Sequence, residues 1–176
     1  MGTSLKNLSY ILKNYLYCFV FEVREGVELS VKEMKAAIFG VYENIAKKDA
    51  EKMLPFFAED ATLIFPGVKL DGHEGVRRWV KWLDAQFQKV ALRGVTLTIE
   101  GSRAVHEFVL EGTTPEGLTA SFDSVAVYEF RDGKITQFRC YFDVLTIAKQ
   151  IAKGFLVKRA VKSLIDQYER GLREVK

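Results

Sequence analysis

The chain has 176 residues, enough for one domain with short additions at either end. Apolar residues make up 48% and charged residues 28%, an ordinary globular balance that excludes a disordered chain. With 26 basic and 23 acidic residues the net charge is +3, too mild for the clustered basic footprint of a nucleic-acid binder. Two cysteines, Cys18 and Cys140, are too few for a disulfide framework and lack metal-ligand spacing, so neither a metal nor a cofactor is expected. A reducing cytoplasm is the expected compartment.

The most hydrophobic stretch is 5–23. Lys13 and Asn14 interrupt it and Glu22 closes it, so it falls short of the roughly 20 apolar residues of a membrane span. Leu5, Leu8, Leu12, Tyr15 and Phe19 fall at helical spacing. Three readings stand: an extra helix packing on the domain or on a second subunit, an upstream stretch included by a misplaced start, and a membrane-surface anchor.

Ser30-Val31-Lys32-Glu33 reads as a capping box and predicts a helix start. Val31, Met34, Ile38, Val41 and Ile45 then mark one apolar face, and Lys47-Lys48 suit the helix end. A short helix over 49–57 follows. Residues 61–65 read as a strand ended by Pro66-Gly67. Asp71 and Glu74 can cap a third helix, with Val76, Trp79, Val80, Leu83, Phe87 and Val90 on its apolar face. His73, in the turn before it, reads as a local capping residue. From residue 93 the period becomes two, with Val95, Leu97 and Ile99 on one side. Gly101-Ser102 turns into a strand over 103–111, a loop follows, then a long strand over 118–130. Asp132-Gly133 makes the next hairpin, into a strand over 134–143. After Asp143 the helical period returns, over a tail (146–176) with eight basic and three acidic residues. It predicts an amphipathic helix with a solvated basic face, or a helix that docks a membrane or partner. The organisation is an N-terminal hydrophobic helical extension (1–29), a central domain (30–145) and the basic C-terminal helix.

Alternation sorts the strand side chains. Ala104, His106, Phe108 and Leu110 should point inward, as should Ala120, Phe122, Ser124, Ala126, Tyr128 and Phe130, and Phe138, Cys140 and Phe142. With Val41, Tyr42, Phe65, Trp79 and Phe87 they would line an aromatic cavity with few polar groups, suited to an apolar small molecule. Filling of the cone by those same rings is the competing expectation. Asp123 should face outward unless a bulge reverses the long strand's parity.

Helices followed by hairpin-linked strands make an α+β fold, helices packed on one face of a strongly curved antiparallel sheet. The motifs at 57–66 and 128–143 (FAEDATLIFP and YEFRDGKITQFRCYFD) resemble the nuclear-transport-factor-2-like superfamily, in its SnoaL-like polyketide cyclase and limonene-epoxide-hydrolase group. The resemblance spans about 31–145. It implies a cone whose sheet wraps the helices around a pocket, and homodimers through the outer sheet face. Activity does not follow from it, since the superfamily includes isomerases, cyclases, dehydratases, hydrolases and binding domains.

Two chemistries implied by the resemblance lack their residues. Where isomerase-like members carry acids this chain has Phe65 and Ala126. Where epoxide-hydrolase-like members carry an aspartate in the last strand it has Cys140, within Arg139-Cys140-Tyr141-Phe142-Asp143, and 103–111 lacks their arginine–aspartate pair. His106 remains as a candidate acid/base, titrating near neutrality. A hydrogen-bonded core histidine and a ligand-orienting donor are the other readings. Some dehydratases of the superfamily use two histidines, which keeps His73 in view. Cys140 reads as a small wall residue, with no adjacent histidine or lysine to make it a thiolate. Three functions are carried forward: a protein binding a small hydrophobic molecule without chemistry; a lyase, isomerase or hydrolase using His106; and an interaction domain docking a partner or a membrane. No nucleic acid is expected, and a small hydrophobic ligand and a second copy of the chain are favoured over a membrane as partners.

Overall fold

The computed structural model describes residues 25–174. The expected helix within 5–23, and Cys18, lie outside the described residues. The element order is α1 (Glu25–Lys47), α2 (Ala50–Met53), a 3-10 turn (Leu54–Phe56), β1 (Phe57–Phe65), β2 (Val68–Asp71), α3 (Gly72–Gln86), β3 (Lys89–Glu100), β4 (Arg103–Thr113), β5 (Thr119–Arg131), β6 (Lys134–Phe142), α4 (Val144–Ile151) and α5 (Phe155–Glu174). The six strands form one open, curved sheet in the order β2-β1-β6-β5-β4-β3. The expected α+β class holds, with one refinement: β1 runs parallel to β6, so the sheet is mixed rather than wholly antiparallel. A parallel neighbour needs a crossover, and α3 with the β3–β5 meander supplies it.

Both expected capping boxes fail. Helix α1 begins before Ser30, which lies inside it. Asp71 does precede α3, but its carboxylate makes no cap bond; it accepts from Thr62 Oγ1 at 3.2 Å and pairs with Lys69. The α3 start is held instead by His73, whose Nε2–H donates to the Phe57 carbonyl at 3.1 Å across to β1. Helix α3 ends at Gln86, so Phe87 is its C-cap and Val90 belongs to β3.

The apolar stripe of α1, Met34, Ile38, Val41 and Ile45, is buried against the sheet. Lys48 adopts φ 56° and sends its ammonium to Asp84 and the carbonyls of Phe87 and Gln88, fastening the end of α1 to the end of α3. The register shifts in three strand pairs: between Phe57 and Thr62 where β1 meets β6, and at two one-residue bulges between antiparallel strands, which help the sheet to curve. In β3 the extra residue is Val95, exposed rather than sharing the core-packed side of Leu97 and Ile99 as the alternation predicts. In β6 it is Thr136, whose hydroxyl donates to the Glu129 carbonyl at 3.1 Å. The Asp132-Gly133 turn has both residues at positive φ, 52° and 74°, as a tight two-residue hairpin demands.

The tail is two helices rather than one. Asp143 caps α4, accepting from Leu145 N at 2.8 Å and Thr146 Oγ1 at 2.6 Å. The chain then breaks at Gly154, φ 80°, before α5. Helix α4 folds back over the sheet where β6 has run out. The last β5–β6 pair is Ser124–Phe142, so Ser121, paired with Glu111 of β4 on one side, has no strand partner on the β6 side. The Gln150 side-chain amide stands in there, accepting from Ser121 N at 2.9 Å and donating to Ser121 O at 2.8 Å. Lys153 pairs with Glu116 just beyond, at 2.8 Å. None of the described helices is long and apolar enough to cross a membrane.

The Gln150 clamp is testable. Gln150→Ala should lower hydrogen-exchange protection over 144–151 and destabilise the protein by about 1 kcal/mol in urea unfolding. Unchanged exchange there would show that α4 is held by packing alone.

Candidate functional site

The helices do not cover the inner sheet face completely. Between α1, α3, α4 and the strands lies a cavity of about 460 Å³. Helix α3 contributes Arg78, Trp79, Trp82, Leu83 and Gln86, with Phe87 following; α4 contributes Val144 (its first residue), Ile147 and Ile151. The β1–β2 hairpin gives Phe65, Pro66, Val68 and Leu70; α1 gives Tyr42 and Ile45. The floor is Leu92, Phe108, Leu110, Phe122, Ser124, Tyr128, Phe138, Cys140 and Phe142. Val68, Trp82 and Val144 are each 52% exposed, which puts the open end at their side of the cavity, together with the exposed Arg78.

Rings set the shape. Trp79 stacks on Phe138 with centroids 5.0 Å apart and planes 29° apart, and Phe65 packs 5.1 Å from Trp79 and 5.7 Å from Phe138. Such clusters hold their geometry through edge and face contacts beyond simple burial. Two floor positions, Ser124 and Cys140, carry small side chains and leave the space above them open.

Polar groups are few, and among the described lining residues there is no Asp, Glu or His. Tyr128 Oη donates to Tyr42 Oη at 3.0 Å. Burial raises both phenols well above their ordinary range, so they stay protonated. Burial likewise pushes the Cys140 thiol up to about 12, which removes it as a thiolate nucleophile. Ser124 is 4% exposed, and its Oγ has no hydrogen-bond partner. No group of three or more metal-ligating side chains occurs among the described residues.

The structure places the expected residues as follows. Tyr42, Phe65, Trp79, Phe87, Phe108, Phe122, Ser124, Phe138, Cys140 and Phe142 all face the cavity. Val41 and Ala126 do not. Val41 sits wholly buried in the α1–sheet contact, and the Ala126 methyl is too short to emerge between its register neighbours His106 and Cys140. Asp123 stays on the outer face opposite Val109, because the β4–β5 register runs unbroken past it. Its parity is not reversed, and the β5–β6 bulge comes only after Glu129.

His106 points inward, as the alternation predicts, yet lies outside the cavity lining. It is 4% exposed, with its ring edge-on to Tyr42 at 4.7 Å and 5.6 Å from Phe108. Those two rings stand between it and the hollow. Gly94 makes room behind it, since a Cβ there would come within 2.9 Å of Nε2. Nδ1 is buried without a partner, and desolvation lowers the imidazole pKa. Sequence reasoning missed Trp82, the β2 residues and α4. The Ile147–Ile151 spacing after a capping aspartate was the available signal for α4.

A SnoaL-like domain model matches residues 40–138, more than half of the chain. No curated protein matches. Among solved structures, similar folds include TerC co-crystallised with polyporic acid (24% identity, TM-score 0.64, 69% of this chain and 99% of that one). A putative polyketide cyclase from Xanthomonas campestris has 22% identity and a TM-score of 0.65, over 70% and 99% of the two chains. An LEH-like epoxide hydrolase from M. tuberculosis has 20% identity and a TM-score of 0.60, over 74% and 97%. These likenesses concern the fold.

The buried imidazole gives a pH prediction. The unfolded chain's histidine takes a proton near 6.5, whereas His106 resists until lower pH. Its contribution to stability is therefore complete above about pH 6.5 and declines as the pH falls through that value toward the lowered one. The melting temperature should drop more between about pH 7.5 and about pH 5.5 in the wild type than in His106→Gln. Equal drops would contradict an imidazole buried in its neutral form.

Proposed function

The chain belongs to the SnoaL-like domain family, and on that premise we propose that it binds a small hydrophobic molecule in the cavity between the sheet and the helices. The observation that carries this reading is the lining itself: rings and aliphatic side chains around about 460 Å³, with Arg78 as the charged residue among those described. That volume lies within the usual range of small-molecule sites, roughly 300–1,000 Å³. A neighbour of like fold, TerC, was co-crystallised with polyporic acid, which is in keeping with it.

Acid–base catalysis by His106, as in a lyase, isomerase or hydrolase, has one feature in its favour and two against. The favourable one is an unpartnered ring nitrogen inside the domain. Against it, Tyr42 and Phe108 separate the imidazole from the cavity, and no carboxylate of the described lining stands ready to share a proton transfer. Binding without chemistry needs neither.

Both tryptophans of the chain, Trp79 and Trp82, line the cavity, so their fluorescence reports on its contents. N-phenyl-1-naphthylamine, a neutral apolar fluorophore, should bind one per chain and show emission sensitised by tryptophan. Ile147→Lys, which puts a cation on the α4 wall, should weaken it by at least about tenfold, since a charge in an apolar hollow is strongly disfavoured. Val95→Lys, on the exposed bulge, should leave it unchanged. No binding by the wild type, or equal binding by both variants, would contradict the reading.

A further inference from the structure

Two buried side-chain atoms in the described core lack hydrogen-bond partners, Ser124 Oγ and His106 Nδ1. Such groups are rare in folded proteins and call for a reason. They lie close together: His106 pairs with Ala126 across the β4–β5 ladder and Ser124 with Phe108, so the two are diagonal neighbours on the inner face. Only one of them borders the cavity. His106 is screened by Tyr42 and Phe108, while Ser124 is part of the floor.

The residues directly opposite and flanking Ser124 on that floor are apolar. Its register partners are Phe108 on β4 and Phe142 on β6, and Phe122 and Ala126 flank it along β5. No described group accepts its proton or donates to its lone pairs. An alanine would pack there equally well and would avoid desolvating a hydroxyl, which is unfavourable unless a partner is found. Because Ser124 lines the cavity, a molecule held there is placed to supply the missing partner.

We propose that Ser124 is the polar anchor of the pocket, hydrogen-bonding the one oxygen, carbonyl or hydroxyl, of an otherwise apolar and uncharged ligand. This rests on the cavity being a binding site. A serine hydroxyl both donates and accepts, so either oxygen type satisfies it. The apolar, carboxylate-free surroundings select a ligand whose remaining surface is hydrocarbon, and whose oxygen sits at the floor rather than at the mouth near Arg78. Ser124 thereby fixes the ligand's direction of entry.

The test uses three probes on one skeleton: 2-acetylnaphthalene, 1-(2-naphthyl)ethanol and 2-ethylnaphthalene. Each is titrated as a displacer of N-phenyl-1-naphthylamine from the wild type and from Ser124→Ala. After correction for water-to-hydrocarbon partition, the wild type should favour the ketone, the alcohol or both over the hydrocarbon by about three- to tenfold. Ser124→Ala should bind the hydrocarbon as before and lose that preference. Its unliganded melting temperature should equal or exceed the wild type's, because the hydroxyl has no partner to lose. The same oxygen preference in both proteins, or no preference in the wild type, would overturn the anchor while leaving the pocket in place. A clearly lower melting temperature for Ser124→Ala would also overturn it, by showing that the hydroxyl is satisfied within the fold. If none of the three probes displaces the fluorophore from the wild type, the binding reading fails as well.

Discussion

The structure depends on one constraint: a sheet bent this strongly cannot be covered by a single helix. Strand twist accumulates across six strands, and the bulges at Val95 and Thr136 bend it further. Helix α1 meets β3 and β6 and helix α3 meets β1 and β2, which leaves part of the inner face uncovered. Rigid rings line that gap but do not close it, and Ser124 and Cys140 keep small side chains on its floor. Helix α4 then bridges the opening, held by the Gln150 amide at the point where β5 outruns β6. The cavity follows from the sheet's geometry and the placing of a few small residues.

Charge placement follows the same geometry. Glu107, Glu111, Asp123 and Glu129 all fall on the outer parity of β4 and β5, opposite the buried rings. Asp143 is occupied in capping α4, where its bond from Thr146 holds the carboxyl below the usual range. What is left inside is a set of neutral hydrogen-bonding groups: the coupled hydroxyls of Tyr42 and Tyr128, the Cys140 thiol and the Ser124 hydroxyl. An interior of that kind can orient an uncharged molecule but offers little for moving protons.

Much of this was legible in the sequence, because a period of two states which face a strand residue occupies. Ten of the twelve residues expected around the cavity do face it. Depth along the cone was not legible. Val41, Ala126 and His106 all point inward, yet whether an inward residue meets the hollow depends on which helix side chain lies above it, a tertiary fact. Tyr42 decides that for His106. Local capping rules misled twice, since Ser30 was absorbed into a longer helix and the Asp71 carboxylate found Thr62 and Lys69 on neighbouring strands. The outward turn of Val95 was hidden because a bulge breaks alternation at a single residue, beside a glycine whose missing side chain makes room for His106.

The most direct measurement is diffraction from crystals of the protein held under xenon, which enters apolar hollows and avoids polar, hydrated ones. The account predicts xenon density among Trp79, Phe138 and Ile147, with the surrounding rings unmoved. A space filled by side chains, or by a connected set of ordered waters that excludes the gas, would contradict it.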